Sequence, residues 1–285
     1  MRRPLVSVIV TTRNNCETID ACLLSIKSQD YPEIELVVVD NFSTDGTAEI
    51  AKQYTEHVYS LGPERSAQRN YAVEVASGMY VVIIDSDMEL TPHVIGSCVA
   101  KMQAKPALGG LIIPEESFGQ GFWAQCKKLE RSFYVGVDWI EAARFFRKDI
   151  YQKAGGYDCE LVSGEDWDLS RRVQGIAPID RVSEFIQHNE GRLNLVKTLR
   201  KKYYYAGLAG AYLQKNQVSS KMTNQLGPLQ RYALFFSRPG KLIRHPIIAM
   251  GMLFMKTCEF GCGGLGYVVS RRKKSATIET ETANE

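Results

Sequence analysis

Acidic side chains stand where two apolar segments of this chain end. The segment ELVVVD ends on Asp40, and YVVIID ends on Asp85, which is followed by Ser86 and Asp87. In an extended chain, residues two apart point to the same side, so we expect Asp85 and Asp87 to face one target. Two carboxylates that lie close together repel each other unless a positive charge lies between them. The triplet therefore predicts a site for a hard divalent cation, Mg²⁺ or Mn²⁺, with substrate phosphate among its ligands. A solvated turn after the strand is the alternative explanation.

A second acidic cluster lies at the start of a predicted helix, in the segment GEDWDL, and consists of Glu165, Asp166 and Asp168. Carboxylates in the first turn complement the helix dipole, and this alone explains their presence. A carboxylate also has the chemistry of a general base, which takes the proton from an attacking hydroxyl. His188, in QHNEG, follows an extended segment over residues 184–187, and such a lone histidine is either structural or a metal ligand.

The elements that must position these residues alternate along the first two thirds of the chain. Near-continuous apolar runs predict strands over residues 5–12, 35–40, 79–85 and 108–114, with a further strand over 141–146. Helices are predicted over residues 17–29, 44–54, 64–76 and 165–173, and from Pro92 onwards. Strands that are apolar on both faces and separated by helices indicate a mostly parallel sheet covered on both sides. The predicted fold class is α/β, doubly wound, with ligands bound outside the carboxyl ends of the strands.

Four segments of the chain, taken in their order along the sequence, resemble those of the inverting, nucleotide-sugar-dependent glycosyltransferases of family 2, which have the GT-A fold. The segments are VSVIVTTRNN, ELVVVDNFSTDGT, GPERSAQRNYAVEVASGMYVVIIDSDMEL and GGYDCELVSGEDWDLSRRV. The resemblance covers about residues 5–190, and the ordered set is more specific than any single motif. It implies a Rossmann-like, mostly parallel sheet flanked by helices, followed by a helical C-terminal extension.

The resemblance implies a nucleotide-sugar site at the ends of the first strands. Asp40 would accept the imide N–H of a uracil, while Thr11 and Arg13 would reach the base and the diphosphate. The other contacts to the nucleotide sugar that the resemblance implies are Arg69, Asp85 and Ser86. Two simpler explanations stay open, because Asp40 can cap the turn that follows it and Arg69 can lie on a solvated helix face.

The resemblance also implies roles on the acceptor side and at the metal. Asp166 would be the base that deprotonates the acceptor hydroxyl, and Glu165 would orient the acceptor. His188 would complete the metal shell that Asp85 and Asp87 begin, and an imidazole ligand favours Mn²⁺ over Mg²⁺. The cation would neutralise the leaving nucleoside diphosphate.

The C-terminal third differs in charge from the rest of the chain. Residues 1–190 carry 19 basic and 28 acidic side chains, whereas residues 191–274 carry 16 basic and 1 acidic. The longest apolar run, Pro246–Met255, is too short to span a membrane, and basic clusters such as Arg200–Lys202 and Arg271–Lys274 frame the apolar stretches. This pattern predicts helices that lie on an anionic lipid surface. The alternative is a helical extension that packs on the catalytic domain and exposes its lysines to water.

We therefore predict three parts. The first is a GT-A catalytic domain over 1–190, which consists of a nucleotide-sugar half over about 1–114 and an acceptor half over about 115–190. The second is a basic and apolar helical extension over 191–274, and the third is a disordered tail over 275–285. No nucleic-acid-binding motif accompanies the basic residues, so we predict no nucleic-acid partner. The seven scattered cysteines and the six-residue apolar run near the N-terminus predict reduced thiols and no signal peptide. We expect a cytoplasmic protein, peripheral on the inner face of the cell membrane.

The predicted function is metal-dependent, inverting transfer of a sugar from a nucleoside-diphosphate sugar, a UDP-sugar, to a hydroxyl of a lipid-linked or cell-envelope glycan. A polyprenyl-phosphate glycosyltransferase needs no strong base, so Asp166 argues against it. A nucleotidyltransferase needs a glycine-rich, lysine-containing loop where this chain has TTRNN. The remaining alternative is a non-catalytic nucleotide-sugar-binding subunit, which the acidic positions and His188 disfavour.

Overall fold

A computed structural model of the chain describes residues 3–161, 163–208 and 227–282, and it describes side chains as far as residue 270 except for residues 207 and 208. The strands are β1 (Val6–Thr12), β2 (Ile34–Asp40), β3 (Val58–Ser60), β4 (Tyr80–Asp85), β5 (Met88–Leu90), β6 (Gly110–Ile112), β7 (Glu115–Gln120), β8 (Phe145–Arg147), β9 (Ile179–Arg181) and β10 (Ile186–Arg192). The helices are α1 (Ile19–Lys27), α2 (Thr47–Ala51), α3 (Arg65–Val75), α4 (Val94–Ala104), α5 (Phe122–Ser132), α6 (Lys148–Lys153), α7 (Glu165–Gln174), α8 (Leu195–Leu208), α9 (Pro228–Phe236), α10 (Pro239–Arg244) and α11 (Pro246–Thr282).

The main sheet has seven strands in the order β3-β2-β1-β4-β8-β6-β9. All neighbouring pairs are parallel except those that involve β8, which runs antiparallel to β4 and to β6. The chain builds β1, β2 and β3 in one direction and then returns to place β4 on the other side of β1. The strand order therefore reverses between β1 and β4, which is the place where open α/β sheets bind ligands. A smaller sheet has the order β5-β10-β7.

The predicted α/β class is confirmed, and the apolar runs over 5–12, 35–40, 79–85, 108–114 and 141–146 contain or adjoin β1, β2, β4, β6 and β8. The antiparallel direction of β8 was not predicted, because composition does not reveal strand direction. The short strands β3 and β9 were also not predicted, because three residues are too few for a periodic signal.

Two compact units divide the chain. The first comprises Met1–Phe118, Val135–Cys159 and Glu165–Asn189, and the second comprises Gly119–Tyr134, Glu160–Gly164 and Glu190–Glu285. The boundary at residue 190 stays a prediction.

The first unit has a hydrophobic layer on each face of the main sheet. Side chains of β1 alternate between them, since Val8 and Val10 join the layer with α1 and α4, while Ile9 joins the layer with α3 and α7. Both faces of β1 are buried, which explains its unbroken apolar sequence.

In the second unit, Cys126 and Phe133 pack with Phe235, Met252 and Met255 in a separate core. No helix among the described residues is long and apolar enough to cross a membrane. The disordered tail predicted over 275–285 stays a prediction, and the described backbone of α11 is helical to Thr282. Helix propagation adds residues at little cost once a helix exists, and Ala276 and Glu279 are residues that favour it. The predicted cluster Arg271–Lys274 lies beyond the described side chains, and the predicted helix over 197–216 extends beyond the described residues.

Candidate active site

The carboxyl ends of β2, β1 and β4 lie side by side at one edge of the main sheet. In the register of these parallel strands, Thr12 pairs with Asp40 and Thr11 pairs with Asp85. Neighbouring strands are about 4.8 Å apart, so two carboxylates flank the end of β1 at the point where strand order reverses. The structure thus brings together three predicted donor-site residues, Thr11, Asp40 and Asp85.

Two buried hydroxyl groups at this edge have no internal partner. The Oγ1 atoms of Thr11 and Thr12 are buried, and neither has a hydrogen-bond partner within the described part of the chain. A buried hydroxyl without a partner is costly, and native proteins satisfy nearly all such groups with protein, water or ligand. Successive side chains of a strand point to opposite faces, so each threonine marks its own place at the end of β1 where a polar ligand or ordered water belongs.

The turn after β1 joins the ends of its neighbouring strands. Asn14 adopts a positive φ of 47°, and its backbone N–H donates to Ser43 Oγ at 2.7 Å. Asn15 Nδ2 donates to Ser86 Oγ at 2.7 Å, so the same turn reaches the residue after β4. Arg13, predicted to reach the diphosphate, lies exposed on this turn. The sequence analysis missed Asn15 and Ser43, although both lie in its quoted motifs.

Asp40 caps the turn that follows it, as the simpler explanation proposed. Its Oδ2 accepts the backbone N–H of Ser43 at 2.8 Å, and its Oδ1 accepts the Ser43 hydroxyl at 2.5 Å. A carboxylate has about four acceptor sites, so these two bonds leave capacity for a base N–H. The capping role and the predicted nucleobase role are compatible.

Asp85 and Asp87 do not lie on one extended strand, so the two-residue alternation expected for them is wrong. β4 ends at Asp85, and Ser86 and Asp87 form a turn before β5 begins at Met88. The Asp85 carboxylate faces two arginines, with Oδ1 at 2.7 Å from Arg69 Nη2 and Oδ2 at 3.7 Å from Arg144 Nη1. Because a turn separates the two acids, Asp85 and Asp87 have different neighbours.

Arg69 lies in α3 with its side chain fully buried, and it faces carboxylates from two regions of the chain. Its Nη2 donates to Asp85 at 2.7 Å, while Nη1 donates to Asp166 Oδ1 at 3.1 Å and lies 3.5 Å from Glu165 Oε1. The Tyr157 ring lies against the guanidinium, 4.8 Å from its central carbon. The full burial of Arg69 contradicts the alternative of a solvated helix face. Its predicted contact with the nucleotide or phosphate stays a prediction.

Glu165 and Asp166 begin α7 and differ in their surroundings. Glu165 is buried, and its Oε1 accepts a hydrogen bond from Arg65 Nη2 at 3.0 Å. Asp166 is partly exposed, and both of its described hydrogen bonds end on Oδ1, from Arg69 and from the Tyr157 hydroxyl at 2.9 Å. Within the described residues, Oδ2 is therefore the oxygen left for a substrate. The buried Glu165 is less suited to contact an acceptor than the partly exposed Asp166.

The electrostatics separate these acids. Burial opposes ionisation of Asp85, but Arg69 and Arg144 outweigh it and hold the pKa of Asp85 well below its usual range. Burial raises the pKa of Glu165, and the neighbouring Asp166 carboxylate adds to that effect. The cluster therefore contains one acid with a lowered pKa and one with a raised pKa, a contrast that is common at functional sites.

Tyr157 and Arg144 are site residues that the sequence analysis missed. A turn through Gly155 and Gly156 delivers Tyr157, and Gly156 has a positive φ of 64° and a position where a Cβ would lie 2.6 Å from Asn70 Oδ1. Only glycine fits that position without strain. The same Asn70 Oδ1 accepts the Tyr157 backbone N–H at 2.8 Å. The adjacent glycines in GGYD were the available signal.

Asp87 lies near His188, as a shared cation would require. His188 pairs with Met88 in the register of β10 and β5, and its Nε2 lies 3.5 Å from Asp87 Oδ2. Two ligands of one octahedral ion with bonds of about 2.1 Å lie about 3 Å apart, so this carboxylate and imidazole fit a shared Mn²⁺ or Mg²⁺. No group of three or more His, Cys, Asp or Glu side chains with metal-binding geometry exists within the described residues. Substrate oxygens or water would have to supply the remaining ligands.

Comparison with known proteins identifies the family. The family model described as Glycosyl transferase family 2 matches residues 7–156, which include the strand edge, Arg69 and β8. The chain belongs to glycosyl transferase family 2. This family assignment agrees with the resemblance and with the GT-A fold expected from it.

Relatives of this family 2 member share part of its length. It is 39% identical over 99 residues to the glycosyltransferase AglE of Haloferax volcanii, a match that covers 32% of each chain. It is 29% identical over 174 residues to the GalNAc(5)-diNAcBac-PP-undecaprenol beta-1,3-glucosyltransferase of Campylobacter jejuni, covering 52% of this chain and 53% of the relative. The chain thus spans about a third to a half of the length of these relatives.

A solved structure extends the likeness of fold to most of the chain. The mannosyltransferase PcManGT from Pyrobaculum calidifontis, solved in complex with GDP-Man and Mn2+, matches with a TM-score of 0.63 at 16% identity. The match covers 94% of this chain and 88% of PcManGT. At this identity the likeness concerns the fold.

Proposed function

We propose that this family 2 member transfers a sugar from a nucleoside-diphosphate sugar to a hydroxyl acceptor, with inversion at the anomeric carbon. The observation that carries the proposal is that Asp85 and Asp166 are both paired with the same buried guanidinium, that of Arg69. Asp85 belongs to the strand edge where a nucleotide would bind, and Asp166 is the predicted base. One side chain thus holds the donor side and the acceptor side of a transfer reaction together.

The donor side is argued from the strand edge. The unpartnered hydroxyls of Thr11 and Thr12 lie at the end of β1, one on each face of the sheet, where β1 stands between the strands that end on Asp40 and Asp85. A uracil imide donates an N–H that the Asp40 carboxylate can accept, which is the reason for proposing UDP. The exposed Arg13 on the adjoining turn has the charge to attract a diphosphate.

The proposed chemical step uses Asp166 as the general base. The acceptor oxygen forms the new bond to the anomeric carbon, and the bond from that carbon to the diphosphate oxygen breaks. The bonding electron pair leaves with the nucleoside diphosphate, and Asp166 Oδ2 takes the acceptor proton. Arg69 and Tyr157 both donate to Oδ1, so they hold the carboxylate in position and leave Oδ2 for the acceptor.

We propose Asp87 and His188 as the protein ligands of a divalent cation, Mn²⁺ before Mg²⁺. When bound there, the cation would neutralise negative charge on the leaving diphosphate. Asp85 stays a predicted ligand on the resemblance alone, because both of its oxygens face arginines. The Mn2+ complex of PcManGT supports testing Mn²⁺ first.

For the acceptor, we propose a hydroxyl of a lipid-linked or cell-envelope glycan. The Campylobacter jejuni relative carries an undecaprenol-linked acceptor in its name, and that supports this class. An acceptor of this kind would place the protein at the inner face of the cell membrane, which it would contact as a peripheral protein.

The test is a donor screen that follows nucleoside diphosphate release from UDP-, GDP- and dTDP-sugars, with Mn²⁺, with Mg²⁺ and with chelator. We expect slow, cation-dependent hydrolysis of one donor even without acceptor, and the released sugar to have the inverted anomeric configuration. Calorimetric titration with each nucleoside diphosphate is run alongside.

The possible failures point to different conclusions. Binding of a nucleoside diphosphate without release from any sugar would identify a non-catalytic binding subunit. Release that is equally fast with chelator would contradict the metal requirement. Release with retained configuration would contradict Asp166 as a base for direct displacement.

A further inference from the structure

The helix α11 exposes a face that carries no charge. Between Pro246 and Ser270, its exposed side chains are those of Pro246, Ile247, Met250, Phe254, Thr257, Gly261, Gly264, Leu265, Val268 and Val269. After Pro246 their spacing is mostly three or four residues, so they form one stripe along the helix. We call these residues the outer stripe. Ile247 is 67% exposed and Phe254 is 57% exposed, which is unusual for large apolar side chains in water.

The charged residues of the same stretch point inwards. Lys256 is buried, with its Nζ at 2.6 Å from Glu130 Oε1 and 2.9 Å from Glu259 Oε2. Lys127 on α5 lies 2.8 Å from Glu130 Oε2 and joins this network. Buried charges are costly unless they are paired, so the network determines which face of α11 is inside. A helix exposed to water has the opposite arrangement, with polar residues outside and apolar residues inside.

Further apolar side chains are exposed on the two helices that precede α11. Leu229 and Phe236 on α9 and Ile243 on α10 are all largely exposed. The second unit therefore presents apolar side chains to its surroundings from three consecutive helices.

The charge of this region indicates the chemistry of the partner. The only acidic side chain described between residues 191 and 270 is Glu259, and it is buried in the network with Lys256. Exposed basic residues of the region include Arg200, Lys201 and Arg244. The surface is therefore apolar and basic, with no exposed acid within its described side chains.

The helix that carries part of the basic cluster packs on α11. α8 packs closely on α11, since a Cβ on Gly266 would lie 2.2 Å from the Tyr203 carbonyl oxygen. The backbone of Tyr203 therefore lies against α11 next to Leu265, and the exposed Lys201 is two residues away on α8. Lysine and tyrosine next to apolar side chains are typical of helices at a membrane interface, where the polar ends reach the headgroups.

We propose that the outer stripe docks on an anionic lipid surface, with Ile247, Met250, Phe254 and Leu265 among the acyl chains and the neighbouring basic side chains at the headgroups. The helix lies in the plane of the interface and does not cross the bilayer. This inference rests on the proposed position at the membrane, names the surface responsible for it, and is independent of the transfer reaction.

The test is sedimentation of the full chain with phosphatidylcholine vesicles that contain or lack phosphatidylglycerol, at low salt and at about 1 M NaCl, where the Debye length is about 3 Å. We expect binding to the anionic vesicles, with part of it resistant to salt. The double variant Ile247→Glu, Phe254→Glu should weaken the salt-resistant binding by about tenfold or more, because it places charge among acyl chains. Arg200→Glu, Lys201→Glu should weaken the low-salt binding instead.

The control is Leu24→Glu, which also replaces an exposed apolar side chain by one glutamate, on α1 in the first unit, where Leu24 is 53% exposed. It should bind vesicles as the unaltered chain does. Thermal unfolding by circular dichroism shows that each variant is folded, and donor hydrolysis without lipid keeps this proposal separate from the proposed function.

The proposal is overturned if the unaltered chain does not bind anionic vesicles at low salt or if the double variant binds as well as the unaltered chain. Light scattering that shows self-association without lipid, lost in the double variant, would assign the stripe to a second copy instead.

Discussion

Asp85 and Asp166 are paired with the same guanidinium, since Arg69 Nη2 lies 2.7 Å from Asp85 Oδ1 and Arg69 Nη1 lies 3.1 Å from Asp166 Oδ1. Asp85 ends a strand at the proposed donor edge and Asp166 begins a helix on the proposed acceptor side. We expect the buried arginine to have a structural role and a positioning role. The predictions below separate these roles and test the residues around them.

Loss of Arg69 should destabilise the fold. Arg69→Met leaves Asp85, Asp166 and Glu165 facing one another without the shared cation, and breaking a buried ion pair costs about 3–5 kcal/mol. Urea unfolding measures the free energy of unfolding. The control is Arg65→Met, which also removes a partner of Glu165 but starts from a half-exposed side chain and should cost less than about 1 kcal/mol. Equal losses in both variants would contradict the special position of Arg69.

Removal of the proposed base should slow transfer without weakening donor binding. Asp166→Asn keeps the size of the side chain but removes the proton acceptor, so we expect the rate to fall by about 10²-fold or more. Calorimetry should give an unchanged affinity for the nucleoside diphosphate. Asp180→Asn is the matched control, because Asp180 is ion-paired and 29% exposed, against 28% for Asp166. If Asp166→Asn loses donor binding and keeps its turnover rate, the residue binds the donor and is not the base.

The cation should depend on Asp87 and His188. Asp87→Ala and His188→Ala should each weaken Mn²⁺ binding in the presence of nucleoside diphosphate by about tenfold or more, because each removes a ligand. Electron paramagnetic resonance of Mn²⁺ measures this directly. His93→Ala is the control, since His93 forms a similar pair with Asp30, at 2.7 Å, in an exposed position away from the strand edge. Unchanged Mn²⁺ binding in both site variants would remove the metal assignment.

The ion pairs of Asp85 should make the fold sensitive to acid. Because Arg69 and Arg144 hold the pKa of Asp85 below its ordinary value of 3.8, the folded state binds this proton less tightly than the unfolded chain does. The stability that this carboxylate contributes is therefore present above about pH 4 and is lost as the pH falls below it. In Asp85→Asn, the slope of unfolding free energy against pH should be smaller there by up to about 1.4 kcal/mol per pH unit. Parallel curves for the two proteins would contradict the lowered pKa.

Much of the donor edge could be predicted from the sequence by itself. The apolar runs of β1, β2 and β4 mark buried parallel strands, because only strands covered on both faces lack polar alternation. Once those strands are parallel, Asp40 and Asp85 must reach the same edge. The acids of α7 and the histidine of β10 could also be predicted as candidates, because residue type and position along the chain limit the chemistry that a side chain can perform.

Only the tertiary structure determined what faces these residues. Arg69 looks like a surface arginine on a polar helix, and its partner Asp166 is 97 residues away along the chain. Asp85 and Asp87 are separated by a turn that the alternation of a strand does not reveal. On α11 the composition predicted an amphipathic helix, but the pairing of Lys256 with Glu130 determined which face is outside. Local sequence reports the preferences of the backbone and the polarity of a segment, whereas burial and charge pairing depend on which distant segments pack together, and that is a property of the folded chain.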